Sequence, residues 1–247
     1  MQLDDRVYLV GSGGAGIGIS HASDCHIYLI DGGSELALVD AGTGLGVNAI
    51  LENIRNHGFA LERIRYLFLT HFHADHVGGA AQLREAIPGL QVVASKVGAE
   101  WLRTADEAKC GLDMGKKGGY YEADYRLKPC PVDVELADGQ IVHVGDLRIK
   151  SLDAPGHSSG HVVFTMEDGG KTYLFCGDAL FFGGKILLQS IWDCDLQAHL
   201  KSIRDLSGLG VDVFLPGHGC FSMSDGQRHI EEAIGWMERC LVPPSIF

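Results

Sequence analysis

Runs of β-forming residues occur in two sets along this chain, and each set is accompanied by residues with helical spacing. The strand patterns lie at 6–10, 26–30, 35–40, 64–70 and 91–94 in the first half, and at 140–144, 147–153, 161–166, 171–176 and 211–216 in the second. The helical patterns lie at 47–54, 80–87, 196–206 and 230–237. Elements in this order predict two β-sheets packed face to face, with the helices on their outer sides.

The length and composition of the chain suit one well-packed domain. It has 247 residues, 46% of them hydrophobic, and neither a linker nor a low-complexity tract interrupts it, so we expect a single domain over residues 1–247. Segment 109–130, rich in Gly, Tyr and Lys, lacks regular patterning. Because such a segment is usually a functional cover or a mobile insertion, a substrate cap and a structural or oligomer-contact role both remain open.

The charge and the cysteine content of the chain indicate which binding partners and which cellular compartment to expect. Acidic residues outnumber basic ones by 32 to 20 and the basic ones form no stripe, so we expect no nucleic-acid partner. No apolar run approaches the roughly 20 residues that span a bilayer, so we expect no membrane partner. The N-terminus lacks a signal-peptide pattern, and seven cysteines without a CxxC pair are typical of reduced thiols, which predicts a cytoplasmic protein. The expected partner is a small-molecule substrate, and a homodimer is left open.

The segment LFLTHFHADHVGG (67–79) places four metal-binding side chains directly after a buried strand pattern. His71 and His73 are two residues apart, so their imidazoles point the same way on an extended segment. Neutral imidazole suits zinc or iron, and carboxylate oxygen can complete the shell, so Asp75 and His76 could serve the same ion or a neighbouring one. Clustered histidines can also be solvated loop residues, but four such side chains in the pattern HxHxDH favour a metal site.

Three further ligand-type residues follow strand patterns later in the chain. They are His157 in APGHSSGH, Asp178 in GDAL and His218 in GHG. Small or Gly neighbours at all three positions let the backbone turn sharply. Together with the four residues of the first motif, these three exceed what one four-coordinate ion can use. Two metal ions that share a carboxylate are therefore the simplest interpretation.

The combination of HxHxDH, a distant GH, a GD and a second GH strongly resembles the metallo-β-lactamase superfamily, from LALVDAG (36–42) to LPGHG (215–219). The resemblance implies the α/β fold called αββα, a sandwich of two mixed β-sheets flanked by helices. It implies these ligands: His71, His73 and His157 on the first metal, Asp75, His76 and His218 on the second, and Asp178 bridging them. Asp40 matches an acidic residue of the family that orients ligands. His161 matches no ligand, so we expect it in a strand or behind the ligands.

The resemblance points to a glyoxalase II-like or lactonase-like hydrolase. Two divalent metals, zinc first with iron or manganese as alternatives, would lower the pKa of a bridging water, and the resulting hydroxide would cleave an ester, lactone or thioester. Asp75 is the candidate catalytic residue because it is the nearest carboxylate for passing a proton to the leaving group. Asp178 and the N-terminus disfavour β-lactamase activity. The short stretch after His218 and the Gly-Lys pair at 184–185, where glutathione-handling members have Cys-Gly-Arg, disfavour glutathione thioesters.

Two alternative functions fit the same motifs. Persulfide dioxygenases of this superfamily resemble the chain in length and motifs, and they use one iron while their second-site residues stay empty. A non-catalytic metal-binding or sensor domain is the other alternative. Dinucleotide binding at GSGGAG (11–16) is disfavoured because strand and turn patterns follow it rather than a helix, so we expect a Gly-rich hairpin near the metals.

No motif marks the substrate pocket. Aromatic residues after the bridging aspartate and in segment 109–130, together with one lysine, are the candidates: Phe181, Phe182, Tyr120, Tyr121 and Lys185. Trp192 and Tyr125 could extend this apolar surface, and Lys116, Lys117 and Arg126 could meet an anionic group. Core aromatics and solvated lysines are the alternative interpretation of each residue.

Overall fold

The computed structural model describes residues 1–246 and contains two mixed β-sheets. The strands of the first sheet are β1 (Val7–Gly11), β2 (Ile27–Asp31), β3 (Leu36–Val39), β4 (Ile64–Phe68), β5 (Gln91–Ser95) and β6 (Val134–Leu136). They lie side by side in chain order, antiparallel from β1 to β3 and parallel from β3 to β6. The first sheet therefore gathers the carboxyl ends of β3, β4 and β5 along one edge.

The second sheet has the same mixed character. Its strands are β7 (Ile141–Val144), β8 (Leu147–Asp153), β9 (Val162–Asp168), β10 (Lys171–Gly177) and β11 (Val213–Pro216). The spatial order is β11-β10-β9-β8-β7, antiparallel from β7 to β10 and parallel between β10 and β11. The backbone N–H of Val162 donates to the carbonyl oxygen of Thr70 over 2.8 Å, so the strand ends of the two sheets meet at one edge.

Helices cover the outer faces of both sheets. They are α1 (Val47–Asn56), α2 (Ala74–Val77), α3 (Ala80–Ala86), α4 (Lys96–Thr104), α5 (Leu112–Lys117), α6 (Leu196–Asp205) and α7 (Gln227–Glu238). One apolar cluster, which includes Phe68 and Phe164, fills the space between the sheets. A second cluster joins the first sheet to α1, α3 and α4, and a third joins the second sheet to α6 and α7. The predicted sandwich of two mixed sheets flanked by helices is confirmed.

Three short elements differ from the sequence-based expectations. The motif after β4, expected as a loop, contains the four-residue helix α2, and segment 109–130 contains α5. Strand β6 was not predicted at all. Elements of three to six residues are shorter than the window over which hydrophobic periodicity can be recognised, so tertiary contacts decide their conformation. Within residues 1–246, no helix combines the length and the apolar character that crossing a bilayer requires.

Candidate metal centre

Three histidines from both halves of the chain meet at the edge where the strands end. His73 Nδ1 lies 3.1 Å from His71 Nε2 and 3.0 Å from His157 Nε2. His71 and His73 stand in the loop between β4 and α2, and His157 follows β8. We call His71, His73 and His157 the first trio. Their three ring nitrogens lie close enough together to serve as ligands of one ion.

A second group of three side chains lies beside the first. His218 Nε2 is 3.1 Å from Asp75 Oδ2, and His76 Nε2 is 3.7 Å from the same oxygen. Asp75 and His76 belong to α2, whereas His218 follows β11. We call Asp75, His76 and His218 the second trio. It differs from the first trio because one of its three groups is a carboxylate.

Asp178, which follows β10, lies between the two trios. Its Oδ1 is 3.4 Å from His76 Nε2, and its Oδ2 is 3.5 Å from His157 Nε2 and 3.6 Å from His218 Nε2. Gly217 makes this approach sterically feasible: a Cβ atom there would collide with Asp178 and lie 2.7 Å from His76 Cε1. One buried carboxylate therefore contacts both groups of side chains.

The second ring nitrogen of each histidine of the first trio faces an oxygen atom. The Thr70 hydroxyl lies 3.0 Å from His71 Nδ1, and the carbonyl oxygen of Leu187 lies 3.2 Å from His157 Nδ1. His73 Nε2 faces the buried carboxylate of Asp193 at 3.7 Å. Such outer contacts fix the ring orientation and the tautomer of a metal-binding histidine.

Asp40 connects the two trios from behind. Its Oδ2 accepts a hydrogen bond from His76 Nδ1 over 2.8 Å, and its Oδ1 accepts one from the Thr70 backbone N–H over 2.9 Å. Asp40 adopts a left-handed conformation with φ of 64°, which places its carboxylate inside the turn after β3. His161, directly before β9, accepts a hydrogen bond from the Asp178 N–H at Nε2 and stacks on His71. The structure thus places Asp40 and His161 behind the candidate ligands.

The protonation states suit metal binding. Burial, reinforced by neighbouring imidazoles, lowers the pKa of His71 well below its ordinary value and that of His157 to about 3. These rings are therefore neutral at pH 7, which is the form that binds metals. Burial alone would also lower the pKa of His218, but Asp178 and Asp75 outweigh it and raise that pKa. The carboxylates of Asp178 and Asp75 thus favour positive charge at this position.

Two polar atoms at the point where the trios meet lack the partners that buried polar atoms need. Within residues 1–246, His76 Nε2 and Asp178 Oδ1 have no hydrogen-bond partner. A buried group of this kind usually requires an explanation such as an ion. Imidazole nitrogen with carboxylate oxygen is the donor set that zinc and iron accept. The side chains present therefore fit divalent metal ions.

Comparison with known proteins identifies the family to which the chain belongs. The sequence profile described as the metallo-beta-lactamase superfamily matches residues 22–218. The chain belongs to the metallo-beta-lactamase superfamily. A metallo-beta-lactamase from Cronobacter sakazakii superposes with a TM-score of 0.75 at 22% identity, covering 97% of this chain and 96% of that chain. Another from Bradyrhizobium japonicum, of subclass B3, gives a TM-score of 0.72 at 21% identity, covering 97% and 91%. At these identities, the two structures support the fold.

Curated relatives in the superfamily have other names. An atrochrysone carboxyl ACP thioesterase from Aspergillus fumigatus is 26% identical over 214 residues, 86% of this chain and 56% of that protein. A hydroxyacylglutathione hydrolase from Gloeobacter violaceus is 34% identical over 159 residues, 64% of this chain and 50% of that protein. The chain thus spans about half the length of the curated relatives it matches.

The structure separates the residues that were predicted to form the substrate pocket. Tyr121 donates from its hydroxyl to Asp75 Oδ1 over 3.1 Å, and burial beside Asp75 raises its pKa well above the ordinary value. Phe181 is buried, with its ring centroid 6.4 Å from that of His218. Tyr120 is 81% exposed. Tyr121 and Phe181 therefore contact the second trio directly, whereas Tyr120 reaches outward.

Other predicted pocket residues make contacts elsewhere. Phe182 packs on His229 of α7 with ring centroids 4.2 Å apart, and exposed Lys185 pairs with Phe181 in a β-bridge. Lys116 and Lys117 form ion pairs, with Glu107 and Asp113 respectively, 2.5 and 3.3 Å long. Both lysines therefore already have acidic partners, which weakens the expectation that they meet an anionic substrate.

The Gly-rich segment 11–16 lies next to the second trio. The backbone N–H of Gly219 donates to the carbonyl oxygen of Ala15 over 2.7 Å, directly beside His218. His26, at the start of β2, links the same region, because its Nε2 is 2.9 Å from Gly219 O and its Nδ1 is 3.0 Å from Ser12 Oγ. The segment leads into β2 and no helix starts in it, as expected of a hairpin rather than a dinucleotide site.

Proposed function

We propose that the chain is a dinuclear metal-dependent hydrolase of small molecules with an ester, lactone or thioester bond. The observation that carries this proposal is the position of Asp178, with one oxygen facing His76 and the other facing His157 and His218 at 3.4 to 3.6 Å. A carboxylate in that position suits two ions that share it. The thioesterase and hydroxyacylglutathione hydrolase names of the relatives support acyl transfer to water as the reaction.

The residues of the chain would divide the work as follows. The first trio would hold one ion and the second trio the other, and Asp178 would fix the spacing between them. When bound, two divalent ions supply an activated water near neutral pH and polarise the carbonyl oxygen of the substrate. Asp75 would carry a proton towards the leaving group, since it is the carboxylate of the second trio and is 19% exposed at its side chain. Zinc is the expected metal, with iron or manganese as alternatives.

A cavity lined in part by Tyr121 could accept the part of the substrate that does not react. Its volume is about 490 Å³, within the roughly 300–1,000 Å³ range of small-molecule sites. Its wall includes His21, Thr43, Leu45, Gln82, Tyr120 and Tyr121. Tyr121 connects it to the centre through Asp75. The charged residues Glu122, Asp124, Arg126 and Lys128 also line it. We propose that a group with both apolar and polar parts fits here, and that Tyr120→Ala raises KM several-fold while kcat changes little.

Metal content and substrate class are the decisive measurements. We expect about two equivalents of divalent metal per chain by elemental analysis of protein purified without added metal. Acyl thioesters, aryl esters and lactones should be tested with the native, the chelated and the reloaded protein. Hydrolysis of one of these classes that is lost on chelation and restored on reloading supports the proposal.

The same experiments separate the alternatives. One iron per chain, with oxygen uptake on glutathione persulfide and no hydrolysis, would replace the hydrolase with the dioxygenase. Two bound metals with neither activity across the panel would favour a metal-binding domain. His143→Asn, a substitution at an exposed histidine on β7, is the control for losing a histidine outside the centre.

A further inference from the structure

The two oxygens of Asp75 have different environments. Oδ2 faces the two histidines of the second trio, 3.1 Å from His218 Nε2 and 3.7 Å from His76 Nε2. Oδ1 accepts the hydroxyl hydrogen bond from Tyr121 over 3.1 Å. Tyr121 is remote in sequence and belongs to segment 109–130, which contains none of the candidate ligands. One carboxylate is therefore held on one side by the centre and on the other by this segment.

The ring of Tyr121 is fixed by its own neighbours. It stacks on Tyr125 with centroids 5.5 Å apart and an interplanar angle of 21°. The Tyr125 hydroxyl in turn donates to the carbonyl oxygen of Thr43 over 2.7 Å, and it occupies the space that a side chain at Gly78 would need. The two tyrosines thus attach the segment to α2 and to the loop after β3. Because the ring is held by stacking, its hydroxyl is available to orient a partner.

We propose that the Tyr121 hydroxyl is a positioning group for Asp75. By holding Oδ1, it keeps Oδ2 of the same carboxylate directed at His76 and His218. The inference rests on the proposed function, because it assigns Asp75 to a metal. A carboxylate without an outer partner can rotate and present either oxygen or both, and outer hydrogen bonds remove this freedom. Tyr121 thus provides an outer hydrogen bond to Asp75, as Asp40 does to His76. It also ties segment 109–130, which forms part of the cavity wall, to the reactive carboxylate.

Three Tyr→Phe variants in the same segment test this assignment. Tyr121→Phe removes the hydroxyl to Asp75 and keeps the stacked ring. Tyr125→Phe removes a half-buried hydroxyl that bonds to Thr43 rather than to Asp75, and Tyr120→Phe removes an exposed hydroxyl. The measurements are the affinities for the first and second metal equivalents, by competition with a chromogenic chelator, and kcat and KM with the best substrate of the panel.

Tyr121→Phe should weaken binding of the second metal equivalent by about 10- to 100-fold, the usual effect of losing an outer partner, and leave the first equivalent unchanged. Its kcat should fall while KM stays within about two-fold, because the hydroxyl points at Asp75 and not into the cavity. Tyr120→Phe and Tyr125→Phe should both keep wild-type metal affinities. A circular dichroism spectrum and thermal midpoint close to those of the wild type would exclude misfolding.

The outcomes distinguish this inference from the proposed function. If the wild type binds two equivalents and Tyr121→Phe binds the second equally well, the positioning role is overturned while the hydrolase proposal stands. The role is also overturned if Tyr125→Phe weakens the second metal as much as Tyr121→Phe does, because general loosening of the segment would then explain both. A wild type that binds a single equivalent overturns the proposed function and this inference with it.

Discussion

The two trios are built from similar side chains but differ in charge and cover. The first trio consists of three imidazoles, held by Thr70, Asp193 and a backbone carbonyl group, and it is closed in by the loop before α6. The second trio contains a carboxylate and is held by Asp40 and Tyr121. Two of its side chains are also more accessible, with His218 13% and Asp75 19% exposed, whereas His76 and His157 are fully buried.

This difference indicates that the two trios would hold their metal ions with different strength and for different roles. A buried set of imidazoles suits a tightly held ion, because Thr70, Asp193 and the Leu187 carbonyl group face their outer nitrogens. The second set, under segment 109–130, can respond to a substrate that enters the neighbouring cavity. We therefore expect the first equivalent of metal to bind more tightly than the second. Variants that act on one trio alone should change one affinity alone.

The largest effect is expected at the residue that the trios share. Asp178→Ala should lower the affinity for both equivalents and reduce kcat/KM by more than about 100-fold, beyond the usual range for an outer partner. Elemental analysis and activity assays measure the two effects together. Asp205→Ala removes an exposed carboxylate that pairs with Lys201 on α6 and is the matched control. Full occupancy of both sites in Asp178→Ala would rule out its bridging role.

Asp40→Asn should act chiefly on the second trio. The Asn carbonyl oxygen can still accept from the Thr70 N–H, but its NH2 group would then face His76 Nδ1, which must donate if Nε2 is to bind a metal. We expect the second equivalent to bind up to about 100-fold more weakly. Asn tolerates the left-handed backbone at position 40, so strain does not explain the loss. Equal weakening of both equivalents would mean that Asp40 does not distinguish the trios.

Asp193→Asn should give a smaller loss that is confined to the first trio. His73 Nε2 needs an acceptor when its Nδ1 binds a metal, and the Asn oxygen can still supply one without the charge. We expect the first equivalent to bind about 10-fold more weakly, the lower end of the range for outer partners. Asp195→Asn, which alters the N-cap of α6 two residues later, is the control. A similar loss in that control would assign the effect to the loop.

An effect on stability rather than on metal affinity is expected from the acid sensitivity of the region around His218. Burial lowers the pKa of His26 from 6.5 to about 4, so the unfolded chain takes up a proton that the folded chain does not as pH falls through 6.5. The stability of the metal-free wild type should therefore drop from pH 7 to pH 5 by about 2 kcal/mol more than that of His26→Asn. Urea unfolding at the two pH values measures this. His143→Asn should lose as much as the wild type.

The continuous part of the centre could be predicted from the sequence, and the parts assembled from separate segments could be predicted only in part. The four residues of HxHxDH follow a buried strand and lie within six positions of one another in the sequence, so their proximity in space could be expected. His157, Asp178 and His218 could be found because each follows a strand pattern beside small residues, although the family resemblance was needed to group them. The structure brings six of these residues together in the two expected trios, with Asp178 between them. Their metal binding stays a prediction that the variants above test.

Asp193 and the specific contact of Tyr121 could not be predicted. Both lie in irregular segments, where no periodicity says which way a side chain points. Asp193 differs from its neighbour Asp195 only through tertiary contacts: one faces His73 and the other caps α6. For the same reason, the structure places the residues predicted for the substrate pocket in different surroundings. Phe181 and Tyr121 contact the centre, whereas Phe182 packs on α7.

The glycine between Pro216 and His218 limits how this centre can evolve. A methyl group at position 217 would collide with Asp178 and press on His76, so even Gly217→Ala would force apart the groups that surround the shared carboxylate. In a saturation-mutagenesis library screened for activity, position 217 should accept glycine alone. Tolerated changes should concentrate instead in the cavity wall. New substrate preferences could thus arise through the residues around Tyr120 without altering the spacing at the centre.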